Sequence, residues 1–432
     1  MNTLIKNARV VDPARNLDGQ ADVLVAEGKV AAVGSGLLGR PEARGAETVD
    51  AAGLWLLPGL VDAHVHLREP GNEGKETIAS GTRAAAAGGV TSLVAMPNTN
   101  PPIDNQALVE LVKAKARLEG VVNVFPAGCI TKGRLGEEMA EIGELIAAGA
   151  VALTDDGSPV MNAELMRRAL EYAGMFGVPC VQHCEDLNLS SEGVMNEGFT
   201  ATRLGLRGVP KAAESVMVAR DLILAEATGA PLHLAHLSSA RSVELVRQAK
   251  RRGVRVTCET APHYFTLTDE WLGLRAYDTR GKMNPPLGGE QDRLALIEGL
   301  HDGTIDCIAT DHAPHSGLDK NVEFNLAAFG VVGLETSLSL TLDRLVRPGY
   351  LTLGQAVERL SGSPARVFGL KGKGGLKEGD DADLVLVDPE EEWSVDPERF
   401  ESKGRNTPFA GMKLKGRVKR TMVGGRWVFP FV

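Results

Sequence analysis

The chain is poor in cysteine, has no excess of positive charge and contains no long apolar run. The net charge of −9 argues against a nucleic-acid partner, which would require a basic face. No segment approaches the roughly 18 apolar residues of a membrane span, and the N-terminal MNTLIKNARVV lacks the apolar core of a secretory signal. We therefore expect a cytoplasmic protein with neither nucleic acid nor membrane as partner.

The cysteines show neither the number nor the spacing typical of a set of disulfide bonds. They are five in number, an odd count, and none belongs to a CxxC pair, so we interpret them as reduced and mostly buried thiols. They are Cys129, Cys180, Cys184, Cys258 and Cys307.

No glycine-rich nucleotide loop follows the first predicted strand, which disfavours an open, doubly wound sheet. Short apolar runs alternate with predicted helices such as ALVELVKAKARLEG, ELMRRALEYAG, SVELVRQAKRRG and DRLALIEGL. Eight such strand units predict a (β/α)8 TIM-type barrel in the α/β class. The strand candidates are LWLLPGLVDAH from Leu54, VTSLVAMP from Val90, VVNVFPAG from Val121, AVALTDD from Ala150, VPCVQHCE from Val178, PLHLAHLS from Pro231, RVTCETAP from Arg255 and IDCIATDH from Ile305.

The two ends of the chain show a different pattern from the middle. ADVLVAEGKVAAVG near the start and RVKRTMVGGRWVF near the end read as strand, turn and strand. We predict that residues 1–53 and 375–432 form one small composite β-sandwich beside a catalytic barrel of residues 54–374. Residues 186–210 are predicted to be a loop insertion with short helices.

Polar residues follow the predicted strands at the points where a barrel carries its chemistry. His64 and His66, in VDAHVHLREP, lie two residues apart and so share one strand face. Such a pair alone is more often structural than a ligand pair, and TDDG alone is usually a turn. The convergence of further histidines and aspartates on the same rim favours a metal site, because imidazole and carboxylate ligands suit Zn²⁺.

Arg68 follows this histidine pair and allows two interpretations. It could form a weak surface pair with the adjacent Glu69. If strand geometry continues that far, it instead lies on the histidine face, where a guanidinium would bind a substrate carboxylate in a bidentate manner.

Seven motifs recur in order along the chain: PGLVDAHVHLREPG, AMPNTNPP, TDDG, QHCED, AHLSS, NPPL and ATDHAPH. Together they resemble the dihydroorotase family, in its bacterial class without a carboxylated lysine, within the amidohydrolase superfamily. The resemblance implies two Zn²⁺ ions per subunit, with Asp156 rather than Asp155 bridging them. The implied metal ligands are His64, His66 and Asp311 for one ion and His183, His236 and the shared Asp156 for the other. The implied substrate contacts are Arg68, Asn98, Asn284, His315, Phe329 and Gly330.

The resemblance also implies a reaction, the reversible zinc-dependent hydrolysis of (S)-dihydroorotate to N-carbamoyl-L-aspartate in de novo pyrimidine biosynthesis. Hydroxide held between the metals would attack the ring amide carbonyl, with Asp311 as general base and acid. A related cyclic amidase of the allantoinase or hydantoinase type is the runner-up. The absence of a lysine from AVALTDDG counts against the lysine-bridged members, which leaves a sister substrate with the same ligand set. A non-catalytic subunit of aspartate transcarbamoylase is the alternative from another class.

Several smaller expectations accompany this resemblance. The chain has Gly288 where the family often has arginine, and Ala328 where it often has proline. The first departure affects a nearby ion pair and the second the loop beside the ring. We expect a homo-oligomer and association with aspartate transcarbamoylase, with residues 315–329 as a candidate lid.

Overall fold

Strands from both ends of the chain form one sheet. The computed structural model describes residues 2–431. The sheet has the order β17-β16-β15-β5-β1-β2-β3, with β4 paired to β1. Its strands are β1 (Thr3–Asp12), β2 (Leu17–Ala26), β3 (Lys29–Gly34), β4 (Glu47–Asp50), β5 (Trp55–Pro58), β15 (Leu384–Ser394), β16 (Lys413–Val423) and β17 (Arg426–Phe429).

Strand β5 lies between the strands from the two ends of the chain. It pairs with β1 in parallel and with β15 in antiparallel orientation. The predicted Glu-Gly-Lys turn closes the β2–β3 hairpin, where Glu27 and Gly28 both have positive φ, 52° and 76°. That pair of angles is typical of a type I′ turn, whose twist matches the strands it joins. The sandwich arrangement and the domain boundaries stay predictions.

The first predicted barrel strand, from Leu54, is two strands. Residues 55–58 belong to the terminal sheet, and the next strand, β6 (Leu60–Val65), pairs in parallel with β7 (Val90–Ala95). Gly59 separates them, and a Cβ at this position would lie 2.1 Å from the Thr91 side chain. Only glycine allows this close approach. The continuous apolar run hid the break, because both strands are buried.

The remaining strands of the central region are parallel and fall into separate small sheets. One has the order β6-β7-β8 and another β14-β13-β12-β9, while β10 pairs with β11 in the predicted insertion. The bounds are β8 (Asn123–Pro126), β9 (Cys180–Gln182), β10 (Met195–Asn196), β11 (Gly208–Val209), β12 (Leu232–Leu234), β13 (Val256–Thr260) and β14 (Cys307–Ile308).

The fourth candidate strand, from Ala150, is irregular, but its backbone is hydrogen-bonded on both sides. Val151 N donates to Pro126 O at 3.0 Å and Thr154 N to Gly128 O at 2.8 Å, while Leu153 N donates to Pro179 O at 3.1 Å. Leu153 makes single parallel bridges to Gly128 and to Cys180, and Val65 makes another to His312. These bridges lie between the ends of the two larger parallel sheets.

Helices follow most of the parallel strands, which makes the chain a mixed α/β protein. The predicted helices ALVELVKAKARLEG, ELMRRALEYAG, SVELVRQAKRRG and DRLALIEGL are confirmed as α2, α4, α8 and α11. The α-helices are α1 (Ile78–Ala87), α2 (Gln106–Glu119), α3 (Ile142–Ala148), α4 (Ala163–Gly174), α5 (Leu187–Ser190), α6 (Phe199–Leu204), α7 (Ala212–Thr228), α8 (Ala240–Arg251), α9 (Pro262–Thr266), α10 (Glu270–Leu274), α11 (Glu290–Asp302), α12 (Gly317–Lys320), α13 (Ser337–Thr341), α14 (Leu353–Val357) and α15 (Ser363–Val367).

Side-chain caps explain where several of these helices begin. Thr77 accepts a hydrogen bond from the Ser80 amide at the start of α1, and Ser239 does the same for Ser242 in α8. Such caps satisfy amides that have no partner within the helix. Among residues 2–431, no helix is long and apolar enough to cross a membrane.

The parallel strands bury both faces, as expected when helices cover a sheet. Every residue of β6 and β7 is buried. A cluster of mostly small apolar side chains gathers from these strands: Val61, Ala63, Val94, Met96, Ala127, Ala152, Val181, Ala235 and Ala309. All five cysteines are free and buried, as predicted.

Candidate active site

A cavity of about 200 Å³ opens where the parallel strands end. Because such strands release their loops on one side, polar residues after different strands meet there. The cavity is lined by His66, Arg68, Asn98, Asp156, Gly157, His183, His236, Asn284, Asp311, Ala313, His315, Phe329 and Gly330. Of the predicted site residues, His64 is the one that does not line it, since its side chain is fully buried underneath.

Asp156 lies at the centre of four imidazole rings. Its Oδ1 is 3.3 Å from His64 Nε2, 3.9 Å from His183 Nδ1 and 3.5 Å from His236 Nε2. Its Oδ2 is 3.5 Å from His66 Nε2. The neighbouring Asp155 instead accepts hydrogen bonds from the amides of residues 130 and 131. Asp156 therefore has the geometry of a shared carboxylate.

Some polar atoms of this cluster lack hydrogen-bond partners in residues 2–431, and the cluster is grouped as the ligands of a metal would be. His64 Nε2 and Asp156 Oδ1 are buried without a hydrogen-bond partner in residues 2–431, a state that is costly unless another group satisfies it. His183 Nδ1 and His236 Nε2 face each other at 2.9 Å. Two groups have donor atoms close enough to hold an ion: His64, His66 and Asp156, and Asp156, His183 and His236.

Other side chains fix the far nitrogens of three rings. His64 Nδ1 is 2.7 Å from Glu259 Oε1, and His66 Nδ1 is 2.8 Å from Asn98 Oδ1. His183 Nε2 is 3.0 Å from Glu185 Oε2. Such contacts orient metal-binding histidines and leave the opposite nitrogen for the metal.

Charges within the cluster compensate for its burial. Burial acts against ionisation of Asp156, but the rings of His64 and His236 hold its pKa well below the ordinary value. Burial likewise opposes protonation of His64, yet Asp156 and Glu259 hold its pKa well above the usual range. The site therefore favours positive charge beside this carboxylate.

Asp311 approaches the same cluster from the end of β14. Its Oδ1 is 3.1 Å from His66 Nε2 and 3.7 Å from His64 Nε2. Asp311, His236 and Arg68 all have left-handed backbone angles, with φ of 46°, 33° and 61°. Non-glycine residues adopt this region at a conformational cost, and such residues are concentrated at functional sites.

The positive φ of Arg68 shows that strand geometry ends before this residue, contrary to the condition on which its predicted orientation depended. Arg68 nevertheless lines the cavity, where its Nε donates to Pro314 O at 3.3 Å. Glu69 does not pair with it, because Lys115 occupies that carboxylate. Within residues 2–431, no carboxylate oxygen lies within ion-pair distance of the guanidinium, and burial lowers the pKa of Arg68 to about 10.

The remaining predicted substrate contacts complete one wall of the cavity. His315 Nε2 is 2.7 Å from Phe329 O and 3.4 Å from the Arg68 guanidinium. Burial, reinforced by Arg68, lowers the pKa of His315 to about 3. Asn284 also lines the cavity, and its Nδ2 donates to Glu185 Oε2 at 2.9 Å.

Both departures from the family pattern have local consequences. A Cβ at Gly288 would lie 2.8 Å from Asp292 Oδ2, which pairs with Lys211 Nζ at 2.5 Å. The ion pair at this place therefore uses Lys211. At Ala328, the amide donates to Asp319 O at 3.0 Å, a bond that proline could not make.

Sequence reasoning missed the carboxylates behind the rings. Glu259 lies inside β13 and is 1% exposed, bound to both His64 and His233. A glutamate within the apolar run RVTCETAP was the available signal, since a buried charge requires a partner. Glu185 lies two residues after His183 in QHCED, but its contact with that ring depends on a loop path that no pattern predicts.

Comparisons with known proteins agree with these features. Residues 53–242 match the dihydro-orotase-like family and residues 200–429 the amidohydrolase family. Dihydroorotases of Citrifermentans bemidjiense and Pelobacter propionicus are each 56% identical over 429 residues, which is 99% of this chain and 100% of theirs. The solved L-hydantoinase (dihydropyrimidinase) of Arthrobacter aurescens has a TM-score of 0.87 at 29% identity, covering 99% of this chain and 95% of that one. The chain therefore belongs to the dihydroorotase family of the amidohydrolase superfamily.

Proposed function

We propose that this cyclic amide hydrolase catalyses the reversible hydrolysis of (S)-dihydroorotate to N-carbamoyl-L-aspartate in pyrimidine biosynthesis. The observation that carries the substrate is Arg68, a guanidinium on the cavity wall without a carboxylate partner in residues 2–431. Dihydroorotate brings a carboxylate, which Arg68 can bind in a bidentate manner. Asn98 and His315 lie on the same cavity and would help to orient that group.

The metal cofactor is proposed to be two Zn²⁺ ions. His64, His66 and Asp311 would hold one ion, His183 and His236 the other, and Asp156 would contact both. Unpartnered donor atoms at His64 and Asp156 support this assignment. Bound there, the ions would supply the Lewis acidity that polarises an amide carbonyl and lowers the pKa of water.

Asp311 is proposed to move the proton. In hydrolysis, water oxygen bonds to the carbonyl carbon, the ring C–N bond breaks, and a proton from water must reach the departing nitrogen. Within residues 2–431, the polar contacts of Asp311 use Oδ1. Oδ2 is therefore free to accept the proton and to deliver it to that nitrogen.

The substrate ring is proposed to lie against Phe329 and Gly330. Both residues line the cavity, where Phe329 O binds His315, and Asn284 lines it beside Glu185. The carboxylate bound by Arg68 and the ring held by the loop would together orient the amide bond towards Asp311. Such orientation contributes to catalysis by removing unproductive arrangements.

The architecture we propose is the predicted one, a closed (β/α)8 barrel of residues 54–374 beside a β-sandwich of residues 1–53 and 375–432, changed in one respect: β5 (Trp55–Pro58) belongs to the sheet of the terminal segments. The bridges from Leu153 to Gly128 and Cys180, and from Val65 to His312, support closure. The small apolar cluster collected from the strand segments supports a packed barrel interior.

The test is hydrolysis by the purified, zinc-loaded protein, followed by loss of the dihydroorotate ring absorbance, with allantoin and hydantoin as controls. Turnover of dihydroorotate alone is expected. Turnover of the neutral rings instead would favour the hydantoinase alternative. Homo-oligomer formation and association with aspartate transcarbamoylase stay predictions. Silence on all three substrates, repeated with the transcarbamoylase present, would contradict the proposed reaction.

A further inference from the structure

The loop of residues 316–330, here called the wall loop, carries Phe329 and Gly330 to the cavity. It begins after His315, forms the short helix α12 and returns past exposed leucines at positions 318 and 326. Its return is tight, since a Cβ at Gly330 would lie 2.7 Å from the Ala313 side chain. A loop with so much exposed apolar surface needs other contacts to hold its final residues in place.

Lys320 supplies one such set of contacts from inside the loop. Its side chain is buried, and Nζ donates to three main-chain carbonyls: Thr279 O at 3.0 Å, Lys282 O at 3.1 Å and Ala328 O at 2.6 Å. An ammonium has three N–H donors, so this arrangement satisfies all of them. No carboxylate in residues 2–431 lies within ion-pair distance of Nζ.

Lys282 holds the loop from the segment on which it packs. It is 2% exposed, and Nζ donates to Phe324 O at 2.8 Å and Asn325 O at 2.9 Å. Nζ also lies 4.4 Å from the centre of the Phe329 ring, in cation–π geometry. The Lys282 carbonyl accepts from the Gly330 amide at 3.0 Å.

The two lysines thus bind main-chain atoms on both sides of the loop return. Burial lowers the pKa of Lys282 to about 8 and that of Lys320, with a contribution from Lys282, to about 7. Placing two amines so close in a buried site costs free energy. The contact continues to the cavity through Phe329 O, which His315 binds.

We infer that Lys282 and Lys320 are positioning residues that preform the wall loop, so that Phe329 and Gly330 meet the substrate ring without prior ordering. The inference rests on the proposed function for the identity of that ring. A preformed wall lowers the ordering cost of binding. Loss of either lysine should therefore raise KM for dihydroorotate more than it lowers kcat.

The test compares Lys320→Met and Lys282→Met with Lys373→Met. Methionine keeps much of the side-chain volume and removes the ammonium, and Lys373 is a buried lysine that pairs with Asp383, away from the cavity. We expect KM to rise about tenfold or more in the first two variants, with kcat within about threefold of wild type. Bound metal should be unchanged in all three.

Hydrogen exchange read by mass spectrometry supplies a measure independent of catalysis. Peptides covering residues 322–332 should exchange about tenfold faster in the two loop variants, because the Gly330 and Ala328 amides lose ordered acceptors. Lys373→Met should leave these peptides unchanged. Should one loop variant fail to fold, the other carries the same test.

Faster exchange with an unchanged KM would overturn the inference, as would unchanged exchange. An equal rise of KM in Lys373→Met would also overturn it, because the effect would then reflect general destabilisation. Failure of the metal-loaded wild type to hydrolyse dihydroorotate would instead refute the proposed function, whereas the exchange data would still report whether the lysines order the loop.

Discussion

The floor and the wall of the cavity are built in different ways. The floor consists of imidazoles and carboxylates that face one another, and three of its buried polar atoms, on His64, Asp156 and His236, have no hydrogen-bond partner in the described chain. The wall consists of Arg68, His315 and the wall loop, where polar side chains bind main-chain carbonyls. The floor is therefore incomplete without an added ion. The wall loop is held by main-chain contacts before any ligand arrives, although Arg68 has no carboxylate partner and His315 Nδ1 no hydrogen-bond partner in residues 2–431.

This difference predicts different consequences of damage. Changes in the floor should alter metal binding or the chemical step, because its residues contact the reacting groups. Changes in the wall should alter substrate binding and leave the metals in place. The predictions below test that division, beginning with the largest effect.

The largest effect is expected from Asp311→Asn. Asparagine keeps the shape of the side chain but cannot accept the proton that hydrolysis releases. We expect kcat for dihydroorotate to fall about 10²–10⁴-fold, the usual contribution of a general acid-base group, with a much smaller change in KM. Steady-state kinetics on metal-loaded protein measures both parameters.

Asp221→Asn is the matched control, since this aspartate is equally buried but pairs with Arg220 outside the cavity. It should lower stability while kcat stays near wild type. If Asp311→Asn retained kcat, the proton would have to move through another group.

Arg68→Ala should produce the main effect of the wall. Without the guanidinium, the substrate carboxylate loses a charge-assisted, two-pronged contact, and KM should rise about 10²-fold. Bound zinc, measured by atomic emission, should not change. Arg68→Lys keeps the positive charge but cannot make the bidentate contact. Its KM should therefore lie between those of wild type and Arg68→Ala. Normal dihydroorotate binding by Arg68→Ala would show that the carboxylate is bound elsewhere.

Asp311 and Arg68 also differ in how far the sequence alone predicted their place in the site. His64, His66 and Asp311 were identifiable because strand side chains alternate between faces and parallel strands release their loops on one side, which brings these residues together. In the wall, a role for Arg68 was one of two interpretations of the residues, whereas His315, Phe329 and Gly330 were predicted only through family resemblance. Lys282 and Lys320 bind carbonyl oxygens, which every residue carries, so no side-chain pattern marks their partners.

The fold shows the same contrast between regular and irregular structure. The helices α2, α4, α8 and α11 followed from apolar periodicity. The break at Gly59 did not, because β5 and β6 are both buried although they belong to different sheets. The fourth strand is less regular than the pattern suggested: residues 151–154 of AVALTDD form backbone hydrogen bonds to the segments on both sides, and the chain then turns so that Asp155 and Asp156 serve different contacts.

Glu259→Gln should weaken metal binding by the floor and leave substrate binding by the wall unchanged. The glutamate holds the Nδ1 atom of His64 at 2.7 Å, and loss of its charge makes the opposite nitrogen a poorer ligand. Such partners usually contribute about 10–100-fold to metal affinity, which competition with a chromophoric chelator would measure. KM of the fully loaded enzyme should change little.

Glu76→Gln is the control for this change, because Glu76 is also a buried carboxylate beside a histidine, His312, which does not line the cavity. It should reduce stability and leave metal affinity unaltered. Equal metal affinity in Glu259→Gln and wild type would mean that the orientation of His64 depends on strand geometry alone.

The smallest effect is expected at Glu335, outside both floor and wall, and it separates pH effects on stability from pH effects on catalysis. Burial raises the pKa of Glu335 to about 8, against hydrogen bonds from the amides of Ser402 and Glu401. Because this value exceeds that of the unfolded chain, about 4.3, the folded state retains a proton that the unfolded state releases. The free energy of unfolding should therefore fall as pH rises from 4.3 to 8.

Glu335→Gln removes this titration. Between pH 5 and pH 8, the melting temperature of the variant should fall less than that of wild type, by about 1–3 °C for a chain of this length. Circular dichroism melts at the two pH values measure the difference, and kcat and KM should be unchanged, since Glu335 does not line the cavity. Parallel pH dependence in the two proteins would show that this carboxyl ionises at an ordinary pH in the folded state. Any fall in the melting temperature between pH 5 and pH 8 would then have to arise from groups other than Glu335.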